Sequence, residues 1–336
     1  MDAETKLIER IARAVPSEIG LRKRGSGGRG WVRRGIGNDG AVLVPGRQDW
    51  VLSCDAFLEG VHFLGKAHPP DSVGYKSLAR AVSDLAAMGA TPRFFLLTLA
   101  LPLSKTGGWL DGFLKGMARA SRALGIRLIG GDTKKSASVS ISITVLGEIA
   151  PGLAVPRSGA RPGDVICVTG RLGQAQLGLE LVRKSLGRKR GLGPLLEQHL
   201  YPKIQVELGA WLARNRMASS MMDISDGLST DLGRLCAASR VGARVYAKDL
   251  PAAKAPAQLL ARLRLDPLQM ALNGGDDYEL LFTVPPEHLK RLQNAPGYRG
   301  IHAIGRIDRG SRVLLVGEDG RATPLESGGW DPFRKK

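Results

Sequence analysis

Hydrophobic residues recur at helical spacing over residues 3–14, and short apolar runs at 41–44 and 50–53 predict strands. After Pro69 and Pro70, Asp71 or Ser72 is placed to cap a helix running to residue 88, whose many small residues suit close packing. Residues 94–101 read as a strand, 109–124 as a helix, 126–129 as a short strand and 139–149 as an alternating strand. Proline and glycine then cluster between 150 and 162, which marks a boundary between domains 1–150 and 151–336. The second half predicts strands at 164–169, 221–224, 243–246 and 279–284, and helices near 173–184, 205–216 and 228–238. A helix after Pro286 and two terminal strands complete it. This irregular alternation, with no fixed-period repeat, points to two layered α/β (α+β) domains rather than one barrel.

Composition changes this picture little. A chain of 336 residues with 43% hydrophobic content has ample material for two cores. It lacks any run near the roughly 18 uncharged apolar residues of a membrane span, and its opening, MDAETKLIER, has no signal-peptide apolar core. A cytoplasmic location with no membrane partner is expected. Cys54, Cys167 and Cys236 are widely spaced and show no metal or redox spacing, so they read as reduced and mostly buried. The net charge of +18 raises the question of nucleic acid. Its densest runs, Arg22 to Arg24 with Arg29, Arg33 and Arg34, and Arg183 to Arg190, lie in glycine-rich or linker-like sequence without interleaved aromatics. They read as solvated surface, and nucleic acid is not an expected partner.

Two phosphate-binding patterns fail on context. The glycines at 35, 37 and 40 match a dinucleotide fingerprint, but a basic loop precedes them and a strand follows where a helix is needed. The segment from Gly60 to Lys66 resembles a phosphate loop, yet Ala67 stands where a hydroxyl should hold magnesium, and Pro69 and Pro70 prevent an immediate helix.

More informative are aspartates beside glycine, serine or threonine at strand ends and helix starts: Asp39, Asp55, Asp84, Asp132, Asp223 and Asp226. Singly, each is accounted for as a turn former or helix cap. As a set they offer hard oxygen ligands, and magnesium typically takes one or two carboxylates, filling its shell with water and phosphate.

The blocks that carry these residues, GIGNDGAVL, LSCDAFLEGVHF, YKSLARAVSDLAAMGATPRFFLLTLALP, LIGGDTKKS, RSGARPGD, MDISDGLSTDLG, NGGDDYELLFTVP and GGWDPF, occur in an order that resembles the thiamine-monophosphate kinase family. That family is a branch of the aminoimidazole ribonucleotide synthetase-like superfamily. The resemblance implies a two-domain fold whose N-terminal sheet pairs across a homodimer, with ATP and several magnesium ions near the domain junction. It implies ATP-dependent phosphorylation of thiamine monophosphate. Carried over by position, Asp39, Asp55, Asp84, Asp132, Asp223 and Asp226 fall on magnesium-ligand positions, with Ser53 and Cys54 beside them. Gly131, Asp132, Arg157 and Ser225 fall on nucleotide positions, and His62, Asp276 and Trp330 on thiamine phosphate positions.

Several positions depart from the family pattern. Asn38 stands for an aspartate, Cys54 for a threonine and Asp276 for a glutamate. A thiol is a poor magnesium ligand, so the Cys54 carbonyl is the group left there. Two alternatives stay open: the same fold and ATP use with another acceptor, and a non-enzymatic RNA binder whose affinity falls steeply with salt.

Overall fold

The computed structural model describes residues 3–16, 32–34, 42–43, 46–186, 191–331 and 333. The chain divides into two compact units, residues 1–85 with 90–152, and 86–89 with 153–336.

The first unit runs α1 (Ala3–Ala14), β1 (Val32–Arg34), β2 (Val42–Leu43), β3 (Asp49–Leu58), α2 (Pro70–Ala87), β4 (Thr91–Leu101), α3 (Gly108–Leu124), β5 (Arg127–Lys135) and β6 (Ser140–Ile149). β1 and β2 form a small ribbon, and the main sheet has the order β3-β6-β4-β5, with only β4 and β5 parallel. β3 and β5 are longer than the apolar runs predict, since ladder pairing carries both through their polar segments. α2 begins at Pro70 rather than behind an Asp71 or Ser72 cap. Proline is preorganised for a first helical position, and the Ser72 hydroxyl donates to the Pro69 carbonyl at 2.7 Å.

The small residues of α2 do pack closely. A Cβ on Gly74 would lie 1.9 Å from the Phe113 carbonyl oxygen, and one on Gly116 1.8 Å from that of Asp71. The pairs 74 with 113 and 71 with 116 run in opposite senses, so α2 and α3 cross antiparallel with their backbones in contact. Neither obstacle is a side chain that can rotate away. Gly116→Ala is therefore expected to destabilise the first unit by about 3 kcal/mol, measured by thermal melting; an unchanged midpoint would show that the crossing can open.

The second unit runs β7 (Val165–Thr169), α4 (Gln174–Arg183), α5 (Gly193–Leu200), α6 (Val206–Arg214), β8 (Ser220–Ile224), α7 (Leu228–Ser239), β9 (Gly242–Tyr246), α8 (Ala257–Leu263), α9 (Pro267–Asn273), β10 (Glu279–Val284), β11 (Ile301–Asp308), β12 (Val313–Val316) and β13 (Ala322–Pro324). Among the described residues its sheet has the order β13-β12-β9-β11-β7-β10-β8, with β12 and β9 parallel. β7, β8 and β10 are buried along their whole length, and Ile166, Met222, Ile224 and Leu281 pack with Leu228, Leu232 and Leu235 of α7. The expected helix after Pro286 is 3₁₀, and α5, α8 and α9 are short helices absent from the periodicity. α9 does carry a local signal: Asp266 caps it by accepting the Leu268 N–H at 2.9 Å, with proline next in line. Among the described residues no helix is long and apolar enough to cross a membrane.

Candidate active site

In the first unit, the two-residue period of β3 turns Ser53, Asp55 and Phe57 toward α2 and leaves Leu52, Cys54 and Ala56 exposed. Arg80 and Asp84, one turn apart on α2, meet that face. The Ser53 hydroxyl donates to Asp84. Arg80 Nε donates to Asp55 at 3.1 Å while its guanidinium lies 5.4 Å over the Phe57 ring.

Cys54 presents its side chain to the opposite face of the strand. Its thiol lies 3.6 Å from the Ser142 hydroxyl and accepts from Thr144 at 3.3 Å, so its side chain does not join the carboxylates. Asp39 lies outside the described residues. So do the glycine fingerprint and most of the two basic runs.

Gly131 and Asp132 lie on β5, at the opposite edge of the sheet from β3. The register passes from Asp132 through Thr98 and Ser142 to Ala56, so Asp132 is level with the Ser53–Asp55 stretch but three strand spacings away, about 14 Å. Its carboxylate accepts the Thr133 N–H at 2.8 Å and pairs with Lys134 at 3.1 Å.

His62 sits in a tight turn after β3. Its Nδ1 accepts the Leu58 N–H at 3.0 Å, which puts the proton of the neutral ring on Nε2, and the ring stacks on Phe57. Glu59 fixes this turn by accepting from Lys105 at 2.8 Å and from the Val139 N–H at 2.9 Å. Burial pushes its carboxyl up, but these partners outweigh that and hold it below the ordinary glutamate value.

In the second unit, antiparallel pairing sets Glu279 beside Ile224, so the loop before β10 lies against the loop after β8. The Asp276 N–H donates to the Ser225 carbonyl and the Tyr278 N–H to the Ile224 carbonyl, both at 2.8 Å. The C-terminal segment joins them: the Trp330 N–H donates to the Asp226 carbonyl at 2.8 Å, and the indole is 50% exposed. Ser225, Asp226, Asp276 and Trp330 thus form one backbone-bonded assembly. Asp223 is buried within β8. Arg157 is exposed, and its carbonyl accepts from Ser239 at the far end of α7, about 18 Å from the Asp226 end.

Three supporting side chains escaped the sequence reading. Asp231, fully buried, accepts the Ser225, Asp226 and Gly227 N–H groups on Oδ2 at 3.1, 3.0 and 3.2 Å. Arg234 bridges it at 2.9 Å to Asp226 at 2.5 Å. Gly227 permits the turn, at φ +110° with no room for a Cβ against Asn273. Asp277 turns away from Asp276 and caps α4 from a distance, accepting the Gly173 and Ala175 N–H groups at 2.5 and 3.0 Å. Burial raises the Asp231 carboxyl to about 6 and that of Asp277 to about 8, against the pull of these N–H donors.

These N–H groups are taken by Asp231, so Ser225 has its side chain, not its amide, to offer a nucleotide. The donor chemistry fits magnesium. Ser53, Asp55 and Asp84 present hydroxyl and carboxylate oxygens on one face, the thiol is turned away, and Asp55, Asp132 and Asp226 each already hold a cationic side chain. Among the described residues no three acidic, histidine or cysteine side chains by themselves form a cation cage, so an ion here would fill its shell with water and phosphate.

Comparison with known proteins bears on the same segments. Residues 37–149 match the AIR synthase related protein, N-terminal domain, and 161–317 the corresponding C-terminal domain. The thiamine-monophosphate kinase of Escherichia coli K12 is 37% identical over 310 residues, covering 90% of this chain and 92% of that one. The crystal structure of thiamine-monophosphate kinase from Stenotrophomonas maltophilia K279a superposes with a TM-score of 0.79 at 35% identity, over 96% of this chain and 98% of that one. AaThiL complexed with AMPPCP and TMP gives 0.76 at 31%, over 89% and 92%. With two-domain matches in order and such identity along nearly the full length, the chain belongs to the thiamine-monophosphate kinase family.

Proposed function

We propose that the chain transfers the γ-phosphoryl group of ATP to the phosphate of thiamine monophosphate, giving thiamine diphosphate and ADP. The observation that supports this most is the second-unit assembly, where a carboxylate loop for cations, a carboxylate for the acceptor and an exposed indole are tied by direct backbone hydrogen bonds. Relatives over 30% identical carry the kinase name, and one binds an ATP analogue together with TMP.

The acceptor phosphate is already ionised near neutral pH, so the reaction needs no strong base; the obstacle is repulsion between two polyanions. Bound magnesium, several ions, supplies the countercharge, and Ser53, Asp55, Asp84, Asp132, Asp223 and Asp226 are the described residues that would hold it. Asp39 is assigned with them from the sequence. Asp55 and Asp226 keep their oxygens oriented through Arg80 and Arg234. Gly131, Ser225 and Arg157 are assigned to the nucleotide. His62 offers an Nε2–H donor to the acceptor phosphate, Asp276 accepts from the acceptor's ring system, and the Trp330 face suits a cationic thiazolium.

In the same proposal, residues 1–150 are the ATP- and magnesium-binding and dimerisation domain, 151–336 the second α/β domain, and the cytoplasm the site of action. The dimer would form on the β3 face that turns away from α2, where Leu52 is 61% exposed.

The test is a coupled ADP assay with ATP, magnesium and thiamine monophosphate, with thiamine and an aminoimidazole precursor as control acceptors. Turnover is expected with thiamine monophosphate. Turnover with a control acceptor alone would keep the fold and ATP use and reject this substrate.

A further inference from the structure

We infer that Tyr278 is a positioning residue for acceptor recognition: its hydroxyl holds the Asp276 carboxylate as a fixed anionic acceptor for an N–H or amino group on a heteroaromatic ring. The inference rests on the function proposed above.

Tyr278 is 2% exposed, and a phenol hydroxyl removed from water needs a partner. It donates to Asp276 Oδ1 at 2.6 Å, the length of an O–H donor on an ionised carboxylate. The backbone is bent to allow this. Asp276 and Tyr278 both lie in the left-handed region, at φ +67° and +51°, where a residue with a Cβ is strained by roughly 1 to 2 kcal/mol.

Three attachments sustain that strain. The N–H groups of both residues are fixed on the carbonyls of Ser225 and Ile224. Between them Asp277 is drawn into the interior, where its side chain caps α4 and its carbonyl accepts from Gln198 at 2.8 Å. Strain maintained by so many contacts, at a half-buried carboxylate beside the segment that carries an exposed indole, marks a binding position rather than a plain turn. Simple turn-making would place glycine or asparagine at these φ values, and two glycines, Gly274 and Gly275, already precede them.

The two neighbouring buried carboxyls turn to other partners, Asp277 to the first turn of α4 and Glu279 to Thr169 and Gln205. A carboxylate has several acceptor lone pairs and Tyr278 fills one, so Asp276 can also accept from an uncharged N–H donor such as an exocyclic amine on an aromatic ring.

The experiment uses the full chain and steady-state ADP release. Tyr278→Phe removes one oxygen and keeps the packed ring. It is expected to raise KM for thiamine monophosphate about tenfold, with kcat and KM for ATP changed less than about twofold. In an Asp276→Ala background the same substitution should have no added effect, because the tyrosine acts through that carboxylate. Asp276→Asn, which keeps the acceptor oxygen for the tyrosine and removes the charge, should raise the acceptor KM at least as much. An unchanged acceptor KM in Tyr278→Phe, a parallel rise in both KM values, or additive effects in the double variant would each overturn the assignment. If Tyr278→Phe does not fold, an unchanged acceptor KM in Asp276→Asn overturns it alone. Absence of wild-type turnover with thiamine monophosphate would instead reject the function on which it rests.

Discussion

Asp84→Asn is expected to lower kcat by about a thousandfold while leaving the thermal midpoint of the metal-free protein unchanged or higher. The side chain keeps its shape, and its amide oxygen can still accept from the Ser53 hydroxyl, so the α2–β3 contact survives. What disappears is one negative charge on a face where Asp55, itself paired with Arg80 of α2, also lies. In the metal-free protein, losing a like charge relieves repulsion, which is why stability should not suffer. In the reacting complex the same charge is required to hold the countercharge between two sets of phosphate. Two measurements separate these effects: ADP release over a range of magnesium concentrations, and thermal melting without the metal. A midpoint lowered by more than about 5 °C would assign Asp84 a structural role. Retained turnover would remove it from the site.

Much of this arrangement was legible in the sequence where local periodicity decides it. The helix through Asp84 and the alternation in LSCDAFL place Ser53 and Asp55 together and Cys54 opposite, because side chains on a strand alternate in direction. The thiol could have been set aside on that ground alone. What was not legible depends on partners far along the chain. Sheet order puts Asp132 on the edge opposite Asp55, and nothing in GGDT specifies which strand pairs with which. Asp276 and Asp277 are chemically identical neighbours with opposite fates, since the N–H groups that draw Asp277 inward belong to Gly173 and Ala175. The short α5, α8 and α9 have too few turns for a clear apolar stripe and are held by tertiary contacts. Asp231 lay within reach of sequence reasoning: an acidic residue in the first turn of a helix that follows Ser-Asp-Gly is positioned to reach back to the loop amides.

That reach gives the second large effect. Asp231→Ala is expected to destabilise the second unit by about 3 kcal/mol, a fall of roughly 10 °C in its midpoint, and to depress kcat as well. The loss comes mainly from the amides of Ser225, Asp226 and Gly227, which converge on one buried oxygen at the positive end of α7 and would be left without their acceptor. The Arg234 bridge contributes less, because that guanidinium is 44% exposed and water can replace the lost carboxylate. Activity falls because Asp226 and Ser225 sit on the freed loop, and Arg234, with one anchor gone, no longer fixes the Asp226 carboxylate. Asp231→Asn separates the two roles. Its amide oxygen can still receive the three N–H groups, so about half of the lost stability should return, while the charge that steadies Arg234 stays absent and kcat remains low. Equal midpoints for the alanine variant and the wild type would show that water can take over the amides. Full activity in the asparagine variant would show that Arg234 holds Asp226 without help from Asp231.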